Sequence, residues 1–153
     1  MMKTVPVFPI PAKVHGVSLI CRREGRFLLV ERGKEPWKGW LAFPGGSIEA
    51  GETPEQAAIR ELKEETALDA KALSHVITVD LALEGKAYAR SYYLSVFRAL
   101  HVSGQEIAGG DDAASIHWLT IEEMAVAKVT DSTLDVARSV AETEDKCPDI
   151  NPV

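Results

Sequence analysis

Thr53-Pro54-Glu55-Gln56-Ala57-Ala58-Ile59-Arg60-Glu61-Leu62-Lys63-Glu64-Glu65-Thr66 is the stretch that decides the fold and, with it, the chemistry. Its opening is a helix start: threonine as N-cap, proline at the first helical position, glutamine three residues beyond the cap, and an acid near the positive end of the helix dipole. The residues that follow are good helix formers, and Ala58, Ile59 and Leu62 make an apolar stripe able to pack on a sheet. The opposite face is charged. Glu61, Glu64 and Glu65 stand at i, i+3 and i+4, so three carboxylates project from one face within a turn.

A bare acidic triplet is most simply a solvated helix face. Its neighbours point further. Oxygen ligands gathered without histidine or cysteine suit a hard cation that keeps several waters and shares its shell with phosphates, which describes Mg²⁺ or Mn²⁺ rather than zinc. Arg60 can reach Glu64 at i+4 or Glu52 in the preceding loop and hold a carboxylate through a forked contact. Gly45-Gly46 allows close backbone approach or positive φ, and a carbonyl freed there can serve as one more oxygen ligand.

Working outward, residues 14–21 and 26–31 are rich in Val, Leu and Ile with Glu24-Gly25 between them, which predicts a hairpin. Residues 32–39 read as a loop, 40–43 as a short strand, and the chain from Pro44 to Glu52 as a further loop. Residues 75–83 and 87–100 should pair antiparallel across Glu84-Gly85-Lys86, and 115–119 adds a short strand. Thr120 caps a short helix, Asp131 or Ser132 caps a last one running towards Glu144, and the tail after Cys147 frays. Helices in the middle and at the end of a strand-rich chain, with no repeating βα pattern, predict an α+β fold or an α/β/α sandwich with a mixed sheet.

The 153 residues are 46% hydrophobic and 26% charged, which fits one domain over 1–153 with residues 1–12 and 147–153 peripheral. The net charge of −6, without a basic run, argues against a nucleic-acid polymer as partner. Residues 1–11 lack an apolar core of signal-peptide length, and no later stretch reaches the roughly 20 apolar residues of a membrane span, so the expected address is cytoplasmic. Cys21 and Cys147 lack the spacing of a zinc site and read as idle thiols.

Taken together, Gly46, Glu52 and Arg60-Glu61-Leu62-Lys63-Glu64-Glu65-Thr66-Ala67-Leu68 closely resemble the Nudix box, the loop-helix-loop signature of the Nudix hydrolase family, over residues 46–68. One position departs. The family usually has glycine where Ala67 stands, just past the helix, and alanine there costs on the order of 1 kcal/mol if its φ is positive.

The resemblance implies hydrolysis of a phosphoanhydride bond in a nucleoside diphosphate linked to another moiety, with Mg²⁺ as cofactor and Mn²⁺ able to substitute. By the same likeness Glu61 and Glu65 ligate the metal, Glu64 ligates a further ion or orients water, Gly46 or Gly45 offers a carbonyl, and Glu52 and Arg60 support them. A downstream carboxylate completes the family's chemistry in many members. Asp112 is favoured for it narrowly over Asp111, although Asp111-Asp112 after Gly109-Gly110 is also a plain turn. Arg32 stands where the family often binds phosphate, and Phe43, Trp37 and Trp40 are aromatic candidates for stacking on a base, against the commoner core role. The loops before the box and around Gly110-Asp111-Asp112-Ala113 are similar to the ADP-ribose pyrophosphatase type, implying AMP and ribose 5-phosphate as products. Two alternatives stay open: a nucleoside triphosphate pyrophosphohydrolase, oxidised nucleotides included, and a non-catalytic nucleotide sensor. The likeness also allows a homodimer.

Overall fold

The computed structural model describes residues 14–35, 37–80, 92–109 and 113–146, so the expected turn at 84–86, the peripheral ends and the tail after Cys147 lie outside the described residues. In chain order the elements are β1 (Val14–Ile20), β2 (Arg22–Arg23), β3 (Arg26–Arg32), β4 (Leu41–Ala42), β5 (Gly45–Ser47), α1 (Pro54–Thr66), β6 (Asp69–Asp80), β7 (Tyr92–Ser103), β8 (Ala113–Leu119), α2 (Ile121–Val126) and α3 (Asp131–Lys146).

Helix α1 starts as its sequence dictates. Thr53 is extended and its hydroxyl accepts from the Gln56 N–H at 3.1 Å, while the Gln56 side chain accepts from the Thr53 N–H at 2.9 Å, so two orphan donors are satisfied reciprocally. At the other end Ala67 adopts φ 63°, and its N–H donates to the Lys63 carbonyl at 2.9 Å. A left-handed alanine is strained where glycine is not. Ala67→Gly is therefore expected to raise stability by about 1 kcal/mol in a urea titration; an unchanged midpoint would mean that the left-handed exit is not the resting geometry.

The predicted hairpin is only partly formed. Arg22-Arg23 fold back on Arg26-Phe27 across Glu24-Gly25, both with positive φ (53° and 75°), as a type I′ turn needs. β1 does not pair with β3. It lies inside a four-stranded mixed sheet of order β5-β1-β7-β6, parallel to β7 and antiparallel to β5. The reason is burial: Gly16 to Ile20 are buried without alternation, and a strand apolar on both faces belongs between two neighbours, whereas a hairpin arm at an edge would leave one face wet. Pairing with β1 also draws Gly45–Ser47, expected as loop, into strand β5.

The expected mixed sheet with helices is present, and a second sheet stands beside it. In the second, β3 pairs antiparallel with β2, β4 and β8. β6 and β7 pair antiparallel over nearly their whole length, with β6 starting earlier than predicted, at Asp69. Helix α3 begins at Asp131, and Thr130, one residue before the expected caps, takes the capping place: its carbonyl accepts from the Leu134 N–H at 3.1 Å and its hydroxyl bonds Thr133 at 2.7 Å.

The helices cover the sheets through two core clusters, while most of β6 stays exposed. Ala57, Ala58 and Leu62 of α1 pack with Val17, Leu19, Leu28 and Phe97 in one core cluster, while Val136, Ala137 and Val140 of α3 pack with Ile20, Phe27, Leu29 and Val96 in the other. Consecutive residues of β3, Phe27, Leu28 and Leu29, therefore alternate between the two cores. Among the described residues no helix is long and apolar enough to cross a membrane.

Candidate active site

The capping box sets where α1 begins, and the apolar stripe sets its rotation, so Arg60, Glu61 and Glu64 are turned towards the loop that enters the helix. Arg60 is the centre of the arrangement. Its Nε donates to Glu52 Oε2 at 2.7 Å and its Nη2 to Glu52 Oε1 at 3.0 Å, the forked pairing that guanidinium and carboxylate geometries favour. Nη2 also donates to the Ser47 carbonyl at 2.9 Å, and Nη1 reaches Glu61 Oε1 at 3.0 Å and Glu64 Oε2 at 3.3 Å. One guanidinium thus joins β5, the loop and two turns of α1.

The box glycines stand where side chains cannot. A Cβ on Gly46 would overlap the Glu61 carboxyl group, and a Cβ on Gly45 would fall on the Val17 carbonyl oxygen of the neighbouring strand. The Gly45 N–H donates to Glu65 Oε2 at 3.3 Å, which ties the second carboxylate to the same strand. Glu65 is only 5% exposed and the Glu61 side chain 14%, whereas Glu64 is 55% exposed. Burying acids at such positions is costly without a compensating cation or hydrogen bonds.

Gly46, Glu52, Arg60, Glu61, Glu64 and Glu65 lie together around the Arg60 guanidinium and the Gly45-Gly46 strand. Phe43 is not part of that group. It is a core residue, 6% exposed, with its ring 6.2 Å from that of Phe27, so the expectation that it stacks on a base is corrected: packing occupies its faces. Trp37, 44% exposed and edge-on to Trp40 at 5.3 Å, is the accessible aromatic of the three. Arg32 ends β3 opposite Ala113, and its N–H donates to the Trp40 carbonyl at 2.8 Å. Asp111 and Asp112 lie outside the described residues. The buried Cys21 thiol is pushed up to about 12 by desolvation, so it stays protonated at neutral pH.

Two features escaped the sequence reading. The Ser47 carbonyl as an Arg60 partner leaves no side-chain signature, and neither do the main-chain bonds from Ile107 and Gly109 to the end of α1. Gly109, where a Cβ would overlap the Glu64 carbonyl oxygen, was the one available signal.

The hydrogen bonds from Arg60, and then the backbone bond from Glu49, hold the Glu52 carboxyl below the usual glutamate range. A depressed folded-state pKa contributes stability that is fully present above the ordinary value of 4.5 and is lost as pH falls through the lowered one. Glu52→Gln is expected to flatten the melting temperature against pH on that acid limb while leaving the slope near neutrality unchanged. An acid limb as steep as the parent's would show that Glu52 is not the group being protonated.

A helix-borne trio of carboxylates, braced by an arginine beside a Gly-Gly strand in a two-sided α+β sandwich, is a site of clustered oxygen donors. The family follows from comparison with known proteins: the model for the NUDIX domain matches residues 12–139, and the chain belongs to the Nudix hydrolase family. It is 34% identical over 108 residues to an ADP-ribose pyrophosphatase of Methanocaldococcus jannaschii, a match covering 71% of this chain and 62% of that protein. It is 30% identical over 145 residues to an RNA pyrophosphohydrolase of Cereibacter sphaeroides, covering 84% of this chain and 88% of that one. The fold matches the NUDIX domain of Shewanella oneidensis NrtR, solved with ADP ribose, with a TM-score of 0.74 at 19% identity, over 90% of this chain and 94% of that one. The archaeal protein and the two Caenorhabditis elegans Nudix hydrolases that also match are each spanned over less than two-thirds of their own length.

Proposed function

We propose that this protein hydrolyses a phosphoanhydride bond in a nucleoside diphosphate linked to another moiety, with ADP-ribose as first candidate and AMP and ribose 5-phosphate as products. The observation that carries the reading is the cluster itself: Glu61 and Glu65, nearly buried, face the Gly45-Gly46 strand with the Arg60 guanidinium between Glu52, Glu61 and Glu64. The likeness to the archaeal ADP-ribose pyrophosphatase and to the domain solved with ADP ribose supports the choice of substrate.

The donor set fits a hard divalent cation such as Mg²⁺ or Mn²⁺. Its members are carboxylate and carbonyl oxygens, and the absence of a Cβ at Gly46 is what admits the Glu61 carboxyl group beside the strand. Among the described residues no three acidic, histidine or cysteine side chains close into a ready cage, so Glu61, Glu65 and the Gly46 carbonyl would hold such an ion together with water and substrate phosphate oxygens. When bound it supplies neutralisation of the diphosphate and a more acidic water.

The chain's own residues do the rest. Arg60 keeps Glu52 and Glu61 in fixed rotamers before substrate arrives, which spares that ordering during reaction. In this reading Glu64, the most exposed of the three box acids, orients water and takes its proton, with Asp112 or Asp111 as the downstream partner. Water adds to one phosphorus, the bridging P–O bond breaks, and the electron pair leaves on the second phosphate. Arg32 binds that phosphate charge.

The test is a substrate panel, with divalent metal present or chelated, that compares ADP-ribose with nucleoside triphosphates, oxidised dGTP and 5′-triphosphorylated RNA. Chelator-sensitive turnover with preference for ADP-ribose is the expected result. Preference for a triphosphate would replace the substrate, and binding of nucleotide without turnover of any would replace the enzyme by a sensor.

A further inference from the structure

Every α-helix ends with carbonyls that have no partner inside it. At the end of α1, carbonyls accept from three directions. The Ala67 N–H donates to the Lys63 carbonyl at 2.9 Å, and the Thr66 hydroxyl donates to the Leu62 carbonyl at 2.6 Å. The third source is distant in sequence: the N–H groups of Ile107 and Gly109 donate to the carbonyls of Thr66 and Glu65, both at 2.8 Å. Ile107 and Gly109 lie two residues apart, so one short stretch closes two adjacent carbonyls at once.

The contact is tight. A Cβ on Gly109 would overlap the Glu64 carbonyl oxygen and come within 2.8 Å of Glu65 Cα. Upstream, Gly104 sits with φ 104° against Leu68 and the Ala67 carbonyl, which turns the chain back over the helix exit. The segment is also held from its outer side. Glu106 accepts from Arg23 at 2.8 Å, and the Arg23 guanidinium lies 4.6 Å over the Trp118 ring, so the end of β2 holds the same segment.

We propose that residues 104–109 act as a positioning strap for the box carboxylates, with Gly109 and Arg23 as positioning residues: closing the Glu65 and Thr66 carbonyls fixes the rotation of the last turn of α1 and thereby the direction of Glu64 and Glu65. The functional part of this inference rests on the reading of the site given above. The capping box sets the start of the helix, and the strap sets its end, where two of the three acids stand.

The experiment uses the full chain and two readouts, amide hydrogen exchange by NMR and Mn²⁺ binding by electron paramagnetic resonance. Arg23→Ala removes a half-exposed ion pair of little worth to global stability, so it folds. It is expected to speed exchange of the Ile107 and Gly109 amides at least tenfold and to weaken Mn²⁺ at least threefold, with Arg23→Lys between it and the parent. Gly109→Ala is expected to weaken Mn²⁺ at least tenfold, the range seen for groups that orient metal ligands. Parent-like exchange in Arg23→Ala overturns the strap, and so does parent-like Mn²⁺ affinity in a folded Gly109→Ala. If Gly109→Ala does not fold, Arg23→Ala decides. Failure of the parent chain to bind Mn²⁺ overturns the functional reading instead, while amide exchange still judges the strap.

Discussion

Glu65→Gln should lose at least about 100-fold in turnover of ADP-ribose while still binding the nucleotide, a drop of the size produced by removing one charge-stabilising group from an active site. The amide has the shape of the carboxylate, and the residue is 5% exposed on the last turn of α1, so packing does not change. Removing one negative charge from a cluster that also holds Glu61 and Glu64 relieves repulsion, and the melting temperature should stay level or rise. The loss is therefore catalytic, and calorimetric titration with nucleotide beside steady-state kinetics separates it from misfolding. Turnover within threefold of the parent would sink the assignment of Glu65 to the reaction.

The paired glycines should divide stability from activity. In Gly45→Ala the new methyl meets backbone, the Val17 carbonyl oxygen, with Ser18 Cα at 3.0 Å, and neither can move without breaking the β1–β5 pairing. A loss of about 2–4 kcal/mol is expected, the scale of overpacking against a rigid neighbour, and with it a fall of roughly 10 °C in melting temperature. In Gly46→Ala the new methyl meets the far end of a side chain, the Glu61 carboxyl group, which can swing away. That variant should keep most of its stability and lose activity and metal affinity, because the carboxylate leaves its place. Equal thermal shifts in the two variants, read in one scanning experiment, would refute the distinction.

The contrast also explains what was legible in the sequence. Thr53, Pro54 and Gln56 act on each other within one turn, so the start of α1 could be read from spacing alone. The Arg60–Glu52 contact was readable for a related reason, since loop and helix are adjacent in the chain. Ala67 stood out only through the resemblance to the Nudix box, which usually has glycine there, and its positive φ is what the fold adds. What spacing could not tell was which strands pair. The run at residues 14–21 and the run at 26–31 are equally good strands, and the choice of β5 and β7 as neighbours of β1 is made by burial on both faces, a property of the assembled sandwich. Phe43 was misread for the same reason: its environment is built by Phe27, Met124 and Val129, which come from elsewhere in the chain. The bonds of Ile107 and Gly109 are backbone to backbone, and any residue with an N–H can make them.

Strand β3 has a consequence for how the molecule comes apart. Because Phe27 and Leu29 are embedded in the cluster under α3 and Leu28 in the cluster under α1, neither half can melt while leaving the other a complete interior. The two layers share a spine, and loss of β3 empties both. Unfolding is then a single event, in which tryptophan fluorescence and far-ultraviolet circular dichroism trace one superimposable curve with denaturant and calorimetric and van't Hoff enthalpies agree.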